Sequence, residues 1–246
     1  MDPLPISDSD HVFVLTGAGI SAESGLPTFR ASDGLWEGHR IEDVCTPEAL
    51  ARNPALVWEF YSMRRAAAQQ AQPNPAHRAL ADLEARLGDR FFLCTQNVDD
   101  LHERAGSQRL VHMHGELAKS RCEENCGRPP IDDTAVYRSL SDVPHCACGA
   151  MLRPHIVFFG EMPLDLDRIQ SEINRASIML VVGTSGSVYP AANFVHWAQM
   201  AGARTVYIGP ERPLNAEAFS QIVEGPAGQV LPGFLGASGP EILINQ

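Results

Sequence analysis

The sequence predicts an α/β fold in which helices cover both faces of a doubly wound, mostly parallel sheet. Short apolar runs alternate along the chain with segments of helical periodicity, which is the order of elements that such a sheet requires. Runs such as Ile178–Gly183 are apolar throughout instead of alternating with polar residues, as is typical of strands buried on both faces. No internal repeat or low-complexity linker interrupts the alternation.

The individual elements follow from the same patterns. Short runs rich in β-branched and apolar residues predict strands at Val12–Thr16, Phe91–Thr95, Leu110–Met113, His155–Phe159, Ile178–Gly183, Arg204–Ile208 and Glu241–Ile244. Segments of helical periodicity predict helices at Pro54–Gln70, Ala76–Leu87, Asp165–Arg175, Ala191–Met200, Ala216–Val223 and Ala227–Leu235. The segment Lys119–Arg153 breaks the pattern because it is polar, contains prolines and cysteines, and shows no clear periodicity.

Length and composition restrict the class of protein. A chain of 246 residues, 44% hydrophobic and 20% charged, is long enough to bury one large core with a small insertion. A formal net charge of −11 argues against nucleic acid or an anionic membrane as the main partner. The first residues lack the basic and apolar regions of a signal peptide, and no apolar run approaches the roughly 18 residues that span a bilayer. We therefore expect a cytoplasmic protein.

A glycine-rich loop follows the first predicted strand, with the sequence GAGISAESGLPTFR over residues 17–30. Glycines at 17 and 19 allow backbone amides to approach a phosphate closely, which predicts a dinucleotide site. The loop departs from the G-x-G-x-x-G fingerprint of redox Rossmann domains, because position 22 is alanine and Leu26-Pro27 interrupts an immediate helix. The loop alone therefore does not decide the chemistry.

Four cysteines lie in the polar segment. Cys122 and Cys126 are separated by three residues, and Cys146 and Cys148 by one. Two close thiol pairs favour a structural zinc with four thiolates, which would leave no open position for metal catalysis. Four unrelated thiols or a redox pair are the alternatives.

Polar residues follow three of the predicted strands, at the sheet edge where doubly wound folds bind ligands. Gln96, Asn97 and Asp99 follow one strand and His114 another, while Gly183–Ala192 forms a third loop rich in small and hydroxyl residues. These three loops at the ends of strands, together with the glycine loop, indicate a nucleotide cleft. From spacing alone, His114 is either a general base or a structural histidine.

In their order along the chain, these motifs resemble those of the sirtuins, the NAD-dependent protein lysine deacylases. The matching blocks are GAGISAESGLPTFR, TQNVDD, the HG of HMHGEL, the four cysteines, VFFGE and GTSGSVYPAA, and they span about residues 12–235. The likeness is greatest to the bacterial CobB-type branch. It implies a Rossmann-like domain over residues 1–117 and 154–246, within which about 33–75 form the helical part of a small domain, and a zinc-binding module over residues 118–153.

The resemblance also implies that NAD is consumed as a co-substrate and that the zinc is structural. Asn97 and Asp99 would hold the nicotinamide end and support the positive charge that develops on the ribose, and His114 would be the general base. The products would be nicotinamide, O-acyl-ADP-ribose and the free lysine. The residues implied to contact NAD are Gly17, Ala18, Gly19, Ile20, Ser21, Glu23, Thr28, Phe29, Arg30, Trp36, Gln96, Asn97, Val98, Asp99, Gly183, Thr184, Ser185, Gly209, Pro210, Glu211 and Ala227.

The acylated substrate is the second ligand that the resemblance implies. Val157, Phe158, Phe159, Gly160 and Glu161 resemble the segment that pairs with the substrate backbone. Tyr61 and Arg64 stand at i and i+3 of one helix, so that they could converge on one carboxylate, and they match the Tyr-x-x-Arg of class III sirtuins. This predicts a preference for succinyl, malonyl and glutaryl groups, with acetyl also possible; a solvated surface pair is the alternative.

Two positions depart from the family pattern. Cys45 stands where the family has a small alanine that lines the acyl pocket, and its extra bulk could narrow the choice of acyl group. Gly209 stands where an asparagine commonly helps to hold the adenosine ribose. A side-chain contact to that ribose is therefore expected to be missing.

Three other functions share some of these features. An NAD-linked dehydrogenase would use the same cleft, a mono-ADP-ribosyltransferase would leave ADP-ribose on a protein, and a zinc-stabilised binding module would consume no NAD. The expected partners are acylated-lysine proteins or peptides, without direct nucleic-acid or membrane binding, and the expected state is a monomer.

Overall fold

The structure is a computed structural model that describes residues 2–28, 35–36 and 38–236. The strand predicted at 241–244 lies outside the described residues. The strands are β1 Val12–Thr16, β2 Leu35–Trp36, β3 His39–Arg40, β4 Phe91–Thr95, β5 Leu110–His112, β6 Gly115–Cys122, β7 Ile131–Asp132, β8 Leu152–Ile156, β9 Ile178–Val182, β10 Arg204–Gly209 and β11 Gln221–Glu224. The α-helices are α1 Ile41–Val44, α2 Pro47–Arg52, α3 Pro54–Gln70, α4 Pro75–Leu87, α5 Leu101–Arg104, α6 Leu166–Arg175, α7 Phe194–Met200 and α8 Ala227–Phe234.

The main sheet has six parallel strands in the order β11-β10-β9-β1-β4-β5. The chain therefore starts in the middle of the sheet, adds β4 and β5 on one side of β1, and returns to add β9 to β11 on the other. The gap between the loops that follow β1 and β9 is a topological switch point, where doubly wound folds bind ligands. The predicted α/β class and parallel sheet are confirmed.

Helices cover both faces of the sheet because alternate strand residues point to opposite sides. Val12 and Val14 of β1 pack with apolar residues of α4 and α8 in one buried cluster. Phe13 and Leu15 of the same strand pack with residues of α6 and α7 in the other. A capping box at Asn74 begins α4. The Asn74 side-chain oxygen accepts a hydrogen bond from the Ala76 backbone amide, and the Asn74 backbone amide donates one to His77 Nδ1.

A smaller unit consists of α1 to α3 and an antiparallel sheet in the order β7-β6-β8. Arg65 of α3 ties the two parts together: its guanidinium donates to the carbonyls of Leu117 and Lys119 and forms a buried ion pair with Asp133 at 3.1 Å. A third apolar cluster connects α3 to β6, β8 and Phe158. This arrangement sets the position of α3 relative to the segment that follows β8.

Two predicted elements are wrong, one in the main sheet and one in the smaller unit. The segment 216–223 forms a short 3₁₀ turn, Ala216–Ala218, and then β11 instead of a helix, because pairing of Val206–Gly209 with Gln221–Glu224 adds a sixth strand to the sheet. The strand predicted at 155–159 lies three residues earlier, as β8, and pairs with β6.

Of the described helices, none has the length and apolar character needed to cross a bilayer.

Candidate active site

A cavity of about 900 Å³ opens at the carboxyl edge of the main sheet, over the switch point between β1 and β9. Here the loop after β1 is in contact with the loop after β9. A Cβ added to Gly19 would lie 2.7 Å from the Cα of Gly183, and one added to Gly17 would lie 2.9 Å from the Gly183 oxygen. Since real Cβ atoms do not approach so closely, only glycines allow these two loops to meet. The resulting crevice has the place and size that a dinucleotide needs.

Two amide groups of the glycine loop hold it against the loop after β9. The amide of Gly17 donates to the Val182 carbonyl at 3.0 Å, and that of Gly19 donates to the Gly183 carbonyl at 2.8 Å. These two amides are therefore engaged within the protein, and the approach of other loop amides to a phosphate stays a prediction. The glycines are required for the packing of the two loops. The glycine loop also contributes the Ser21 side chain, which contacts Asn97 and Asp99.

Ser21 connects the two polar side chains that follow β4. Its buried hydroxyl accepts a hydrogen bond from the Asn97 amide at 3.1 Å and donates one to the Asp99 carboxylate at 3.2 Å. The Leu101 amide donates to the other Asp99 oxygen. Burial raises the pKa of Asp99, although the two hydrogen bonds act in the opposite direction. Asn97 and Asp99 both line the cavity, held in place from the glycine loop.

His114 lines the same cavity, directly after β5. Its Nδ1 lies 3.2 Å from the Gln96 carbonyl oxygen. Because a carbonyl only accepts, the proton of the neutral ring belongs on Nδ1, and Nε2 keeps a lone pair for a substrate proton. Burial lowers the pKa of His114, partly offset by this hydrogen bond, so the ring is neutral at pH 7.

A second histidine, His112, supports the same loop and was missed by the sequence analysis. Its Nδ1 lies 2.8 Å from the Asn97 carbonyl and its Nε2 lies 2.6 Å from Glu103. Both contacts are to acceptors, so both are satisfied only by the imidazolium. Although burial opposes that charge, the hydrogen bond to Glu103 and its negative charge raise the pKa of His112. His112 ends β5 and His114 lies in the turn that follows it, so their closeness in the sequence is the signal that could have pointed to His112.

Residues 157–161, here called the substrate loop, form another wall of the cavity. Glu161 anchors this loop. Its carboxylate accepts from Arg153 at 2.6 and 3.0 Å, from Arg121 at 3.0 Å and from the Phe158 amide at 2.7 Å. The Arg153 guanidinium also lies 3.9 Å from the centre of the Phe158 ring. The sequence analysis missed both arginines, and its expected substrate contact for Glu161 remains a prediction.

Three side chains are predicted to select the acyl group: Cys45, Tyr61 and Arg64. Cys45 and Arg64 line the cavity. Tyr61 is fully buried behind Cys45, and its hydroxyl donates to the Cys45 sulfur at 3.1 Å. The Tyr61 hydroxyl is thus buried whereas Arg64 lines the cavity, and the convergence of the two side chains on one carboxylate stays a prediction.

The cavity wall includes most residues predicted to contact NAD. Those that line it are Gly17, Ala18, Gly19, Ser21, Thr28, Gln96, Asn97, Val98, Asp99, Gly183, Thr184, Ser185, Pro210 and Glu211. Ile20 and Ala227 belong instead to the buried core. The Glu23 carboxylate accepts the Gly228 amide at 2.6 Å and so connects the glycine loop to α8. Phe29, Arg30 and the side chain of Trp36 lie outside what the structure describes.

Tyr207 explains why glycine stands at position 209. Both residues lie on one face of β10, and a Cβ at 209 would lie 2.3 Å from the Tyr207 hydroxyl oxygen. That hydroxyl is within hydrogen-bond distance of the Thr184 and Glu211 carbonyls. Tyr207 lines the cavity and occupies the volume that a longer side chain at 209 would need.

The four cysteines come together as predicted. All four sulfur atoms lie within 4.8 Å of one another, and the Cys122–Cys148 and Cys126–Cys146 sulfur distances are 3.5 and 3.6 Å. Tetrahedral Zn–S bonds of about 2.3 Å place sulfur atoms about 3.8 Å apart, so the set fits a structural zinc. Cys122 lies at the end of β6 and Cys146 and Cys148 come shortly before β8, so a metal here would close the polar segment onto this sheet.

Comparison with known proteins gives consistent matches. A family model described as Sir2 family matches residues 17–190. The chain is 53% identical over 231 residues to a Salmonella typhimurium (strain LT2) protein named NAD-dependent protein deacylase, covering 93% of this chain and 84% of that protein. A Caulobacter vibrioides protein of the same name is 51% identical over 227 residues, with coverages of 91% and 94%. A solved Sir2 homolog–NAD complex has a TM-score of 0.84 at 38% identity, covering 96% of this chain and 95% of that one.

Proposed function

The chain belongs to the Sir2 family, the sirtuins, and from this premise we propose that it is an NAD-dependent protein lysine deacylase that favours acyl groups ending in a carboxylate. The relatives' name supports the reaction. The substrate preference rests on this chain's own residues. Nicotinamide, an O-acyl-ADP-ribose and unmodified lysine are the products of the proposed reaction.

One observation carries the proposal: His114, Asn97 and Asp99 line the same cavity as Arg64. NAD, bound as co-substrate, supplies an electrophilic sugar carbon to the acyl oxygen of a modified lysine. Asn97 and Asp99, fixed by Ser21, offer an amide dipole and a negative charge to the positive charge that develops. With Nδ1 held by the Gln96 carbonyl, His114 Nε2 takes a proton from a sugar hydroxyl.

The acyl preference follows from the charge of Arg64. Arg64 lies at the wall of the cavity, and a guanidinium pairs favourably with a carboxylate. An acetyl group carries no charge that could interact with this cation. The effect of this charge reaches the neighbouring groups: it opposes the rise that burial causes in the pKa of Cys45 and of Asp99. A succinyl, malonyl or glutaryl chain would bring its own negative charge into that field.

The test uses peptides of one sequence that carry acetyl-, succinyl-, malonyl- or glutaryl-lysine, incubated with and without NAD and analysed by mass spectrometry. We expect NAD-dependent loss of the acyl group with release of nicotinamide. Arg64→Met should lower kcat/KM for the succinyl peptide by about tenfold or more and change the acetyl value by less than about threefold. Arg64→Lys should retain part of the difference, and Arg52→Met, at an exposed site on α2, is the control.

Other outcomes would favour a different function. Formation of NADH, seen as absorbance at 340 nm, would indicate a dehydrogenase. ADP-ribose retained on the peptide or protein would indicate a transferase. Equal losses on both peptides in Arg64→Met would contradict the carboxylate preference while leaving the deacylase activity in place.

A further inference from the structure

We propose that Cys45 sets the acyl specificity by keeping the Tyr61 hydroxyl engaged and shielded from the substrate. The inference rests on the proposed deacylase function and deepens it, because it concerns which side chains the acyl group meets. In this chain Arg64 would then recognise the acyl carboxylate without Tyr61.

The contact between the two side chains is direct. The Tyr61 hydroxyl donates to the Cys45 sulfur at 3.1 Å, and a phenol has a single proton to donate. Tyr61 is 0% exposed, whereas Cys45 is among the residues that line the cavity. Cys45 therefore lies between the phenol and the space that an acyl chain would fill.

The Tyr61 ring is held in this position by its neighbours. It stacks on Phe158 with ring centres 5.9 Å apart and meets the edge of Phe60 at 5.1 Å. Close packing on both sides resists the ring movement that would bring the hydroxyl around the sulfur. The hydroxyl can reach a ligand only if the residue at position 45 leaves room.

Cys45 is equally fixed. Its backbone carbonyl accepts the Phe159 amide at 3.0 Å, which ties it to the substrate loop, and its amide donates to the Ile41 carbonyl at 2.8 Å. Burial raises the pKa of its thiol, so the sulfur is an uncharged and weak acceptor. A carboxylate oxygen is a far better acceptor for a phenol than a thiol is. Removing the sulfur should therefore turn Tyr61 toward an acidic acyl group.

The test is a double-mutant cycle on wild type, Tyr61→Phe, Cys45→Ala and the double variant, with kcat/KM measured for succinyl and acetyl peptides of one sequence. We expect Cys45→Ala to raise the succinyl-to-acetyl ratio about fivefold or more, and Tyr61→Phe to cancel that gain. In the Cys45 background, Tyr61→Phe should change the ratio by less than about twofold. Melting temperatures of all variants check that each is folded.

Two control variants separate the effect of the hydrogen bond from other effects of the substitutions. Cys45→Ser keeps a hydrogen-bond acceptor of similar size at position 45, so its ratio should stay near that of wild type. Met63→Ala, at an exposed position on the same helix, reports effects of altering α3 that do not involve the pocket.

The inference is overturned if Cys45→Ala leaves the ratio unchanged, or if Tyr61→Phe lowers the ratio equally in both backgrounds. A gain that Cys45→Ser reproduces would also overturn it, since it would then be an effect of size and not of the hydrogen bond. Absence of any NAD-dependent deacylation by wild type would instead contradict the proposed function, so the two failures are distinguishable.

Discussion

At the scale of single residues, the chemistry of the site depends on which proton each side chain carries. His114 has one hydrogen-bond acceptor, the Gln96 carbonyl, at its Nδ1, and its neutral form is favoured. His112, two residues earlier, contacts a carbonyl and a carboxylate, and its cation is favoured. Two histidines only two residues apart in the sequence thus have opposite preferences. The difference comes from their acceptors, because burial lowers the pKa of both.

This difference leads to a pH prediction for His114. Burial places its pKa below the ordinary 6.5, so protonation removes the base only as the pH falls below that value. We expect the acid limb of kcat/KM for deacylation to have its midpoint below pH 6.5. His114→Ala should lower kcat by about 100-fold or more with the melting temperature nearly unchanged.

The control for this prediction is His196→Ala, because His196 is exposed on α7. It should leave both the rate and the pH profile as they are. Turnover by His114→Ala at the wild-type rate would exclude His114 as the base, and an acid limb centred above pH 6.5 would contradict its lowered pKa.

At the scale of elements, neighbouring positions of one helix serve different parts of the molecule. Successive residues of an α-helix point about 100° apart, so Arg64 and Arg65 of α3 cannot face the same surface. Arg64 lines the cavity, and Arg65 is buried against β6 and Asp133. The helix thus connects the wall of the cavity to the antiparallel sheet.

The substrate loop provides the prediction at this scale. Arg153→Met removes two hydrogen bonds to Glu161 and the contact with the Phe158 ring, so the loop loses much of what holds its shape. We expect KM for the acylated peptide to rise about tenfold, and kcat at saturating peptide to change by less than about threefold. Steady-state kinetics with varied peptide at saturating NAD measures both values.

A matched control for the loop variant is Arg175→Met, which loses an exposed ion pair to Glu172 on α6. It should change neither constant, because such surface pairs contribute little. Arg153→Lys should restore part of the KM, since it keeps the charge beside Glu161. A loss confined to kcat would contradict a positioning role for Arg153.

At the scale of the whole molecule, the polar segment 119–153 is held by few apolar contacts and by the cysteine cluster. The small apolar cluster at this end of the molecule contains Trp58, Val143 and Leu152 as its buried members. The zinc that the four sulfurs fit would therefore supply much of the segment's folding free energy. The main sheet has its own two large apolar clusters and does not depend on the metal.

Removal of zinc should accordingly unfold one part and spare the other. We expect about one zinc per chain by elemental analysis, and rapid proteolytic cleavage within residues 119–153 after chelation, with most of the α-helical circular dichroism retained. Cys126→Ser should lose the metal, whereas Cys45→Ala should keep it. Resistance of the chelated protein to cleavage in this segment would contradict a structural zinc.

Sequence patterns located most elements of this molecule. Strands Val12–Thr16 and Phe91–Thr95 and helix Pro54–Gln70 have the predicted bounds. These segments are recognisable because a buried strand or an amphipathic helix leaves its period in neighbouring residues. The segment 216–223 was misassigned because edge pairing with β10, which is a tertiary contact, overrides its weak local preference.

By itself, the sequence determined the fold class, the strand-end loops that line the cavity, and the set of four cysteines, because each depends on residues close together in the chain. Only the tertiary structure decided which distant side chains meet: Gly19 with Gly183, Tyr61 with Cys45, and Arg121 with Glu161. The reason is physical. Local periodicity records which face of an element is buried, but the partner on that face is selected by the packing of whole elements against one another.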